Sequence, residues 1–443
     1  MKRIAVILDF SLCVLLGALS LAALTALFFV MWLSAVFFKK RQEKIRGKRI
    51  LQFAHYNIND IEGSSGPHVV FQSNLGGYLE KVVTVLFSDF KVLYSDQSYG
   101  PSHRIVHVPQ RPECILKRIG LKRLLFAISI MRLLSVSVFF VRQEKIGLIR
   151  AQDPHLFGLV ALLTSLYTGV PYTIHVIQNY DISTRRIRRL VFAPFLFKAI
   201  ERQVEGSVFK GAFFTTSSYA NYKFYALSHG ARPETAFSLR TCVGACHFTE
   251  PALRKNIKAD RGLSDKKVVL YVGRLEKVKF VEDAITSFAL IAENVPDAAL
   301  LIAGRGSLKA ALEERAKELG LGERIIFLGH VAENALADLY YSADAILFTH
   351  AGMTLVEAAL SSKPIACYDH DWAGEFIGYN ERGLLAQFRN TSELAGKVIA
   401  LLQDKGLSSR LGGSARDFAK RYFHESVIRG LEVSVLNRFM GTP

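Results

Sequence analysis

Beyond residue 267 the chain alternates short apolar runs with stretches of helical periodicity. The runs Val268–Val272, Ala299–Ala303, Ile325–Leu328, Ala345–Phe348 and Ile365–Tyr368 read as strands, and Val281–Ala292, Leu308–Leu319, Asn334–Ser342 and Thr354–Ser361 read as the helices between them. Strands that are apolar throughout are covered on both faces, so strict βα alternation predicts a parallel sheet flanked by helices. Ligands of such sheets collect beyond the carboxyl ends of the strands. The loops after Val272, Ala303, Leu328, Phe348 and Tyr368 are therefore where chemistry is expected.

The first half alternates less regularly. Arg49–His55 reads as a strand, followed by Gly63-Ser64-Ser65-Gly66 and a helix from Pro67 to about Asn74. Leu148–Ala151 closes a strand, Leu156–Thr168 is helical, and Tyr172–Ile177 is the next strand after Gly169-Val170-Pro171. The polar stretch Thr249–Lys266 reads as a linker, and beyond Thr391 the chain is helical to near its end. The expected organisation is an anchor with a basic flank over 1–47, a first domain over 48–248, a linker over 249–266, a second domain over 267–420 and a helical segment over 421–443. With 443 residues, the chain exceeds what a single core supports and suits two α/β domains.

Mean hydropathy is +0.21, which asks for a membrane segment. Phe10 to Phe38 carries no charged side chain, and as a helix it would measure roughly 43 Å against the ~30 Å hydrocarbon core. Lys2 and Arg3 precede it, whereas Lys39, Lys40, Arg41, Lys44, Arg46, Lys48 and Arg49 follow it. The more basic flank stays cytoplasmic, so a single-pass protein with its catalytic body on the cytoplasmic side is expected, in a bacterial inner membrane. The five cysteines (Cys13, Cys114, Cys242, Cys246, Cys367) are odd in number and scattered, as in a reducing compartment. Cys242, Cys246 and His247 lack the fourth ligand that a closed zinc site requires, and no metal is expected.

A formal charge of +17 admits nucleic acid, an anionic membrane or an anionic substrate as partner. Nucleic acid is disfavoured, because zinc-finger spacing, an RNP-like aromatic strand and a basic region with heptads are all absent. Basic clusters at Lys117–Arg123 and Arg185–Arg189 adjoin the apolar runs Leu124–Ile130 and Leu190–Phe197, a mixture expected of helices resting on a membrane surface. Solvated surface over a core helix reads the same way for either segment alone.

The chemistry gathers in the second half. Gly273-Arg274-Leu275 follows the first strand there, with Lys279 five residues after Arg274, so two cations can converge where a pyrophosphate leaving group develops charge. Surface cations at strand ends are also common. Thr349 to Ala358 leaves the Ala345–Phe348 strand and enters a helix. Gly352 permits close backbone approach, the amides of Met353, Thr354 and Leu355 face an anion at the helix N-terminus, and Glu357 can accept from ribose hydroxyls. An N-terminal glutamate is equally favoured by the helix dipole alone. Asp369-His370-Asp371 and Gly304-Arg305-Gly306 resemble, respectively, a metal-binding D-x-D and half of a dinucleotide fingerprint that lacks its third glycine.

Taken in order, Gly273-Arg274-Leu275 with Lys279, Gly329-His330-Val331, Gly352 through Glu357-Ala358, Lys363-Pro364-Ile365-Ala366, Ala373-Gly374-Glu375 and Gly383-Leu384-Leu385 resemble the family-4 retaining glycosyltransferases of the GT-B fold. The resemblance is close over Val268 to Phe388. It implies two Rossmann-like domains facing across a cleft, here preceded by one transmembrane helix. It also implies a nucleotide-sugar donor, no cofactor, and sugar transfer with retention; the apolar run and the basic apolar stretches add the expectation of a lipid-linked or membrane-proximal saccharide acceptor. By this resemblance Arg274 and Lys279 hold the diphosphate, Glu357 holds the ribose, Gly329–Val331 lies by the base, and Gly63, Ser64, Ser65 and Gly66 approach the sugar. Three positions depart from the pattern. Thr349 stands where the family has a sugar-contacting glutamate, Ile177 takes the slot of a histidine whose nearest equivalent is His175, and the first-domain loop lacks paired glycines. A GT-B epimerase or hydrolase, or a non-catalytic sugar-nucleotide binder, would carry the same core motifs.

Overall fold

The structure, a computed structural model, describes residues 44–54, 75–88, 95–109, 122–180, 194–241, 243, 245–248, 250 and 254–440. The apolar run Phe10–Phe38, the loop Gly63–Gly66, the helix expected from Pro67 and the cluster Arg185–Arg189 lie outside them. Among the described residues no helix is long and apolar enough to cross a membrane. The chain divides into two compact units, one formed mainly by the first half with residues from Glu432 onward, the other by Leu239–Leu431 with Tyr219–Asn221.

The first unit is built on β1 (Arg49–Ala54), β2 (Lys81–Ser88), β3 (Ser95–Tyr99), β4 (His103–Pro109), β5 (Leu148–Ala151), β6 (Tyr172–Val176), β7 (Phe214–Ser217) and β8 (Ala236–Ser238). Their order in the sheet is β3-β4-β2-β1-β5-β6-β7-β8. Every pairing is parallel except β3 with β4, where Ser95 faces His107 in an antiparallel edge. Helices α1 (Lys122–Gln143), α2 (Leu156–Thr168), α3 (Pro194–Gly211) and α4 (Ala220–Ser228) complete it. The central strands are apolar because both faces are covered; Phe53 of β1 stacks on Phe157 of α2 at 5.4 Å. Of the Arg49–His55 expectation, Arg49–Ala54 is strand and His55 lies outside the described residues; Tyr172–Ile177 runs one residue past its strand, and Leu148–Ala151 and Leu156–Thr168 coincide with their elements. Between 81 and 109 the structure adds three strands without an assignment from sequence, and α1 covers the apolar run Leu124–Ile130; the polar one of the three is the hardest to see. The cause is visible in β3, whose residues Ser95-Asp96-Gln97-Ser98-Tyr99 form a polar edge strand with one partner.

The second unit carries β9 (Lys267–Val272), α5 (Val281–Asn294), β10 (Ala298–Ala303), α6 (Lys309–Glu318), β11 (Ile325–Gly329), α7 (Glu333–Ser342), β12 (Ala345–Phe348), α8 (Met353–Leu360), β13 (Ile365–Asp369), α9 (Ala373–Ile377), β14 (Leu384–Gln387), α10 (Thr391–Gln403) and α11 (Lys405–Phe423). The sheet is wholly parallel, in the order β11-β10-β9-β12-β13-β14. All six residues of β10 are buried. Helix α5 turns Val281, Ala284, Ile285, Phe288, Ile291 and Ala292 onto the sheet, the three-and-four spacing of one helical face. Helix α10 starts where the Asn390 side chain accepts the Glu393 amide (3.0 Å), and Glu393 in turn accepts the Gln387 amide (2.9 Å). The order reverses between β9 and β12, and the candidate residues leave the sheet at the carboxyl ends of these two neighbouring strands.

The last helix, α12 (Glu425–Phe439), belongs from Glu432 onward with the first unit. There Leu436 is buried with Ile45, Ile50 and Phe214, and Phe439 stacks on Phe214 at 5.0 Å. Arg150 of β5 pairs with Glu432.

Candidate functional site

The loop after β9 is pinned on one side by the loop after β10. The Gly273 amide donates to the Ala303 carbonyl, and the Leu275 amide to that of Arg305, both at 3.0 Å. Gly304 sits at φ 153°, and a Cβ there would lie 1.8 Å from the Gly273 carbonyl oxygen; one at Gly306 would lie 2.3 Å from that of Leu275. These two glycines, half a dinucleotide fingerprint in the sequence, are what lets one backbone rest on the other. Glu276 closes the contact by accepting the Ser307 amide (2.9 Å) and hydroxyl (2.7 Å), bonds that hold its carboxyl below the usual range.

Arg274 is exposed at this strand end, and the single turn Lys277–Lys279 brings Lys279 back toward the sheet. Two adjacent residues after β12 hold it. The Thr349 hydroxyl donates to the Lys279 carbonyl at 2.6 Å, and the Lys279 ammonium lies 3.2 Å from His350 Nδ1. A Cβ at Gly352, which caps α8 in an extended conformation, would lie 3.6 Å from that ammonium. Lys279 and the first turn of α8 thus converge on one point, an arrangement suited to an anion. The Leu355 amide is taken by the Gly352 carbonyl at 2.9 Å, and Met353 and Thr354 open the helix before it. Burial, and after it the neighbouring Arg274, pull the Lys279 ammonium down to about 8, with Asp371 opposing them.

Thr349 is fully buried, with 0% of its surface exposed, and its hydroxyl is occupied by Lys279. In this structure it organises the loop from below. One turn into α8, Glu357 accepts the hydroxyl of Tyr340 from α7 at 3.1 Å. Burial raises its carboxyl to about 7, against the lowering effect of that bond. Glu357 and Tyr340 border a small cavity shared with His247, Arg254, Tyr341 and Ser361. Gly329, at φ 68°, ends β11, with His330 exposed and Val331 half-buried beyond it. In the first unit, His175 donates or accepts at Thr216 Oγ1 (2.8 Å), and burial lowers it to about 4, while Ile177 is exposed. Gly63–Gly66 lie outside the described residues.

Sequence reasoning gave no role to Tyr340, Glu276 or His350. Tyr340 acts from a separate helix, and only the packing of α7 against α8 brings it to Glu357.

A parallel sheet with the order β11-β10-β9-β12-β13-β14, its candidate residues at the strand ends, is an α/β domain of the kind found in GT-B glycosyltransferases. Residues 254–418 match the family described as glycosyl transferases group 1. The mannosylfructose-phosphate synthase of Agrobacterium fabrum is 30% identical over 184 residues, 39% of this chain and 40% of the relative. The GDP-mannose-dependent alpha-(1-6)-phosphatidylinositol monomannoside mannosyltransferase of Mycobacterium tuberculosis is 24% identical over 180 residues, 38% and 47% of the two chains. The chain spans less than half the length of the curated relatives it matches. In structure it is similar to Anabaena HepE, solved in complex with UDP and glucose. The TM-score is 0.66 at 17% identity, with 88% of this chain and 100% of that one covered. The fold is GT-B-like, with two Rossmann-like sheets.

Proposed function

We propose that the protein is a glycosyltransferase that moves a sugar from a nucleoside diphosphate-sugar to a lipid-linked or membrane-proximal acceptor with retention of anomeric configuration. The observation that carries the reading is the convergence of Lys279 and Gly352 at one strand-end junction, inside the part of the chain that matches the group 1 family. In this reading Arg274 and Lys279 stabilise negative charge as it develops on the departing diphosphate, and the α8 N-terminus adds its amides. Glu357, steadied by Tyr340, accepts from the ribose hydroxyls. The residues named call on no metal and no cofactor.

HepE binds UDP, and the mycobacterial relative is named for a phosphatidylinositol-based acceptor; both support a sugar nucleotide donor and a lipid-borne acceptor. The outward face of α1 favours an anionic membrane surface as partner. Helix α1 contains no acidic residue, and it exposes Met131 and Phe139 (each 56%) with Arg132 and Arg142. Tyr167 of α2 extends the patch, 66% exposed, beneath the Arg142 guanidinium at 5.2 Å. Together with the apolar run Phe10–Phe38, this supports a membrane-bound enzyme working on the cytoplasmic side in envelope polysaccharide or glycolipid synthesis.

The test is nucleotide release by detergent-solubilised protein from UDP-, GDP- and ADP-sugars, with and without a membrane-lipid extract. Lipid-stimulated release from one donor, lost in Lys279→Ala and Glu357→Ala, is expected. Release that needs no acceptor would instead indicate an epimerase or hydrolase, and binding without release a non-catalytic sugar-nucleotide protein.

A further inference from the structure

The motif Asp369-His370-Asp371 begins at the last residue of β13 and has no task in the transfer reading. Different neighbours hold its two carboxylates. Asp369 lies against α9, where a Cβ on Gly374 would stand 2.7 Å from its Oδ1. Asp371 Oδ1 accepts the Asn221 side-chain amide at 3.0 Å, from the Tyr219–Asn221 segment that belongs with the second unit. Asp371 holds φ at 59°, in the left-handed region that costs a residue with a Cβ and that concentrates at functional sites.

The loop around it is well braced. Trp372 is buried and stacks on Tyr219 at 4.0 Å, and the Tyr219 hydroxyl lies 3.8 Å from Sδ of Met353, the first residue of α8. The Ala220 amide donates to Glu375 at 2.7 Å. On its other side, His370 stacks on Phe388 at 4.0 Å and meets Phe280, the residue after Lys279, edge-on at 6.0 Å. The β13 loop is thereby tied both to the N-terminus of α8 and to the loop that carries Lys279. Asp371 is the acidic side chain whose charge favours the protonated Lys279, against the burial that disfavours it.

We propose that Asp371 is a specificity-determining residue for the donor, its carboxylate accepting hydrogen bonds from hydroxyls of the transferred sugar. The inference rests on the reading of Lys279 and the α8 N-terminus as the diphosphate site. A diphosphate seated there gains nothing from an anion beside it, whereas the sugar bonded to its outer phosphate brings hydroxyl donors to the same place. A carboxylate offers about four acceptor positions, so one that already takes an amide still has capacity for a pair of hydroxyls. The Asn221 amide fixes how that carboxylate is turned, and the Trp372 stack fixes the backbone beneath it, so the acceptor is in place before the donor arrives.

The experiment is calorimetric titration of the full chain in detergent near pH 6.5, where Lys279, lowered to about 8, keeps its proton. The ligands are UDP, GDP and ADP, together with UDP-glucose, UDP-N-acetylglucosamine, GDP-mannose and ADP-glucose. The proteins are wild type, Asp371→Asn, Asp371→Gly and Lys279→Ala. Asparagine tolerates the left-handed backbone and keeps an oxygen for Asn221 while removing the charge, and glycine suits the backbone without a side chain, so both variants should fold. For the sugar nucleotide that wild type binds best, Asp371→Asn should weaken binding about tenfold and Asp371→Gly more, as for hydrogen bonds to a charged acceptor. Affinity for the parent diphosphate should hold or rise, since a negative charge beside it has gone. Wild-type affinity for the sugar nucleotide in Asp371→Asn would overturn the inference. So would an equal fall for sugar nucleotide and parent diphosphate, the mark of a residue that only braces the loop. Either result leaves the diphosphate site standing, whereas identical diphosphate affinities in wild type and Lys279→Ala would overturn that reading and this inference together.

Discussion

The Tyr340 hydroxyl donates to the Glu357 carboxylate across 3.1 Å, from a helix that precedes the β12 strand to one that follows it. The bond favours the ionised carboxylate and partly offsets the burial that raises Glu357 to about 7. Tyr340→Phe removes it with little change in volume. The carboxyl should then move further up, and the acidic limb of a kcat/KM profile should shift to higher pH, with donor affinity at pH 7 several-fold weaker. An unshifted limb would mean that Glu357 does not govern donor capture.

Two groups of the free site titrate close together with opposite demands. Glu357, raised to about 7, gains its charge as pH rises through that value, and Lys279, lowered to about 8, loses its charge above it. The profile of kcat/KM should therefore be bell-shaped, with limbs near 7 and 8. A bound diphosphate restores the Lys279 proton, so binding near pH 8.5 should take up protons, measurable as a buffer-dependent enthalpy that Lys279→Ala removes.

Thr349→Val keeps the shape of a buried residue and deletes its donor to the Lys279 carbonyl. A stability loss of about 1 to 3 kcal/mol is expected in chemical denaturation, with weaker diphosphate binding. Thr349→Ser should retain both. If Thr349→Val instead changed which sugar is transferred at unchanged diphosphate affinity, the residue would be a sugar contact.

Gly304→Ala places a Cβ against the Gly273 carbonyl at a backbone angle that alanine resists. The β9 loop must shift, and diphosphate affinity should fall at least tenfold, more than for Arg305→Ala on the neighbouring exposed side chain. Equal effects from the two would show that the backbone contact is dispensable.

The second sheet was legible because its strands are buried on both faces and its helices carry a clean apolar stripe; the ends of Ala345–Phe348 coincide with the strand, and most others differ by one or two residues. The candidate residues Arg274, Lys279 and Glu357 stood out in the sequence because they lie at fixed distances from strands that announce themselves. What escaped was lateral. Tyr340 reaches Glu357, Glu276 reaches Ser307 and His350 reaches Lys279 only after separate βα units pack, and no local spacing encodes those pairings. In the first unit, β3 hides as polar sequence because an edge strand need not be apolar.

The return of the last helix to the first unit has a consequence for synthesis. Residues Leu239–Leu431 form one uninterrupted stretch, so the second unit can complete its sheet while the tail is still inside the ribosome. The first unit emerges earlier yet keeps Ile45, Ile50 and Phe214 uncovered until Leu436 and Phe439 follow. From the synthesis of Phe214 until that of Leu436 and Phe439 the nascent chain thus carries an apolar seam that its own later helix must cover, an interval in which a chaperone has something to hold.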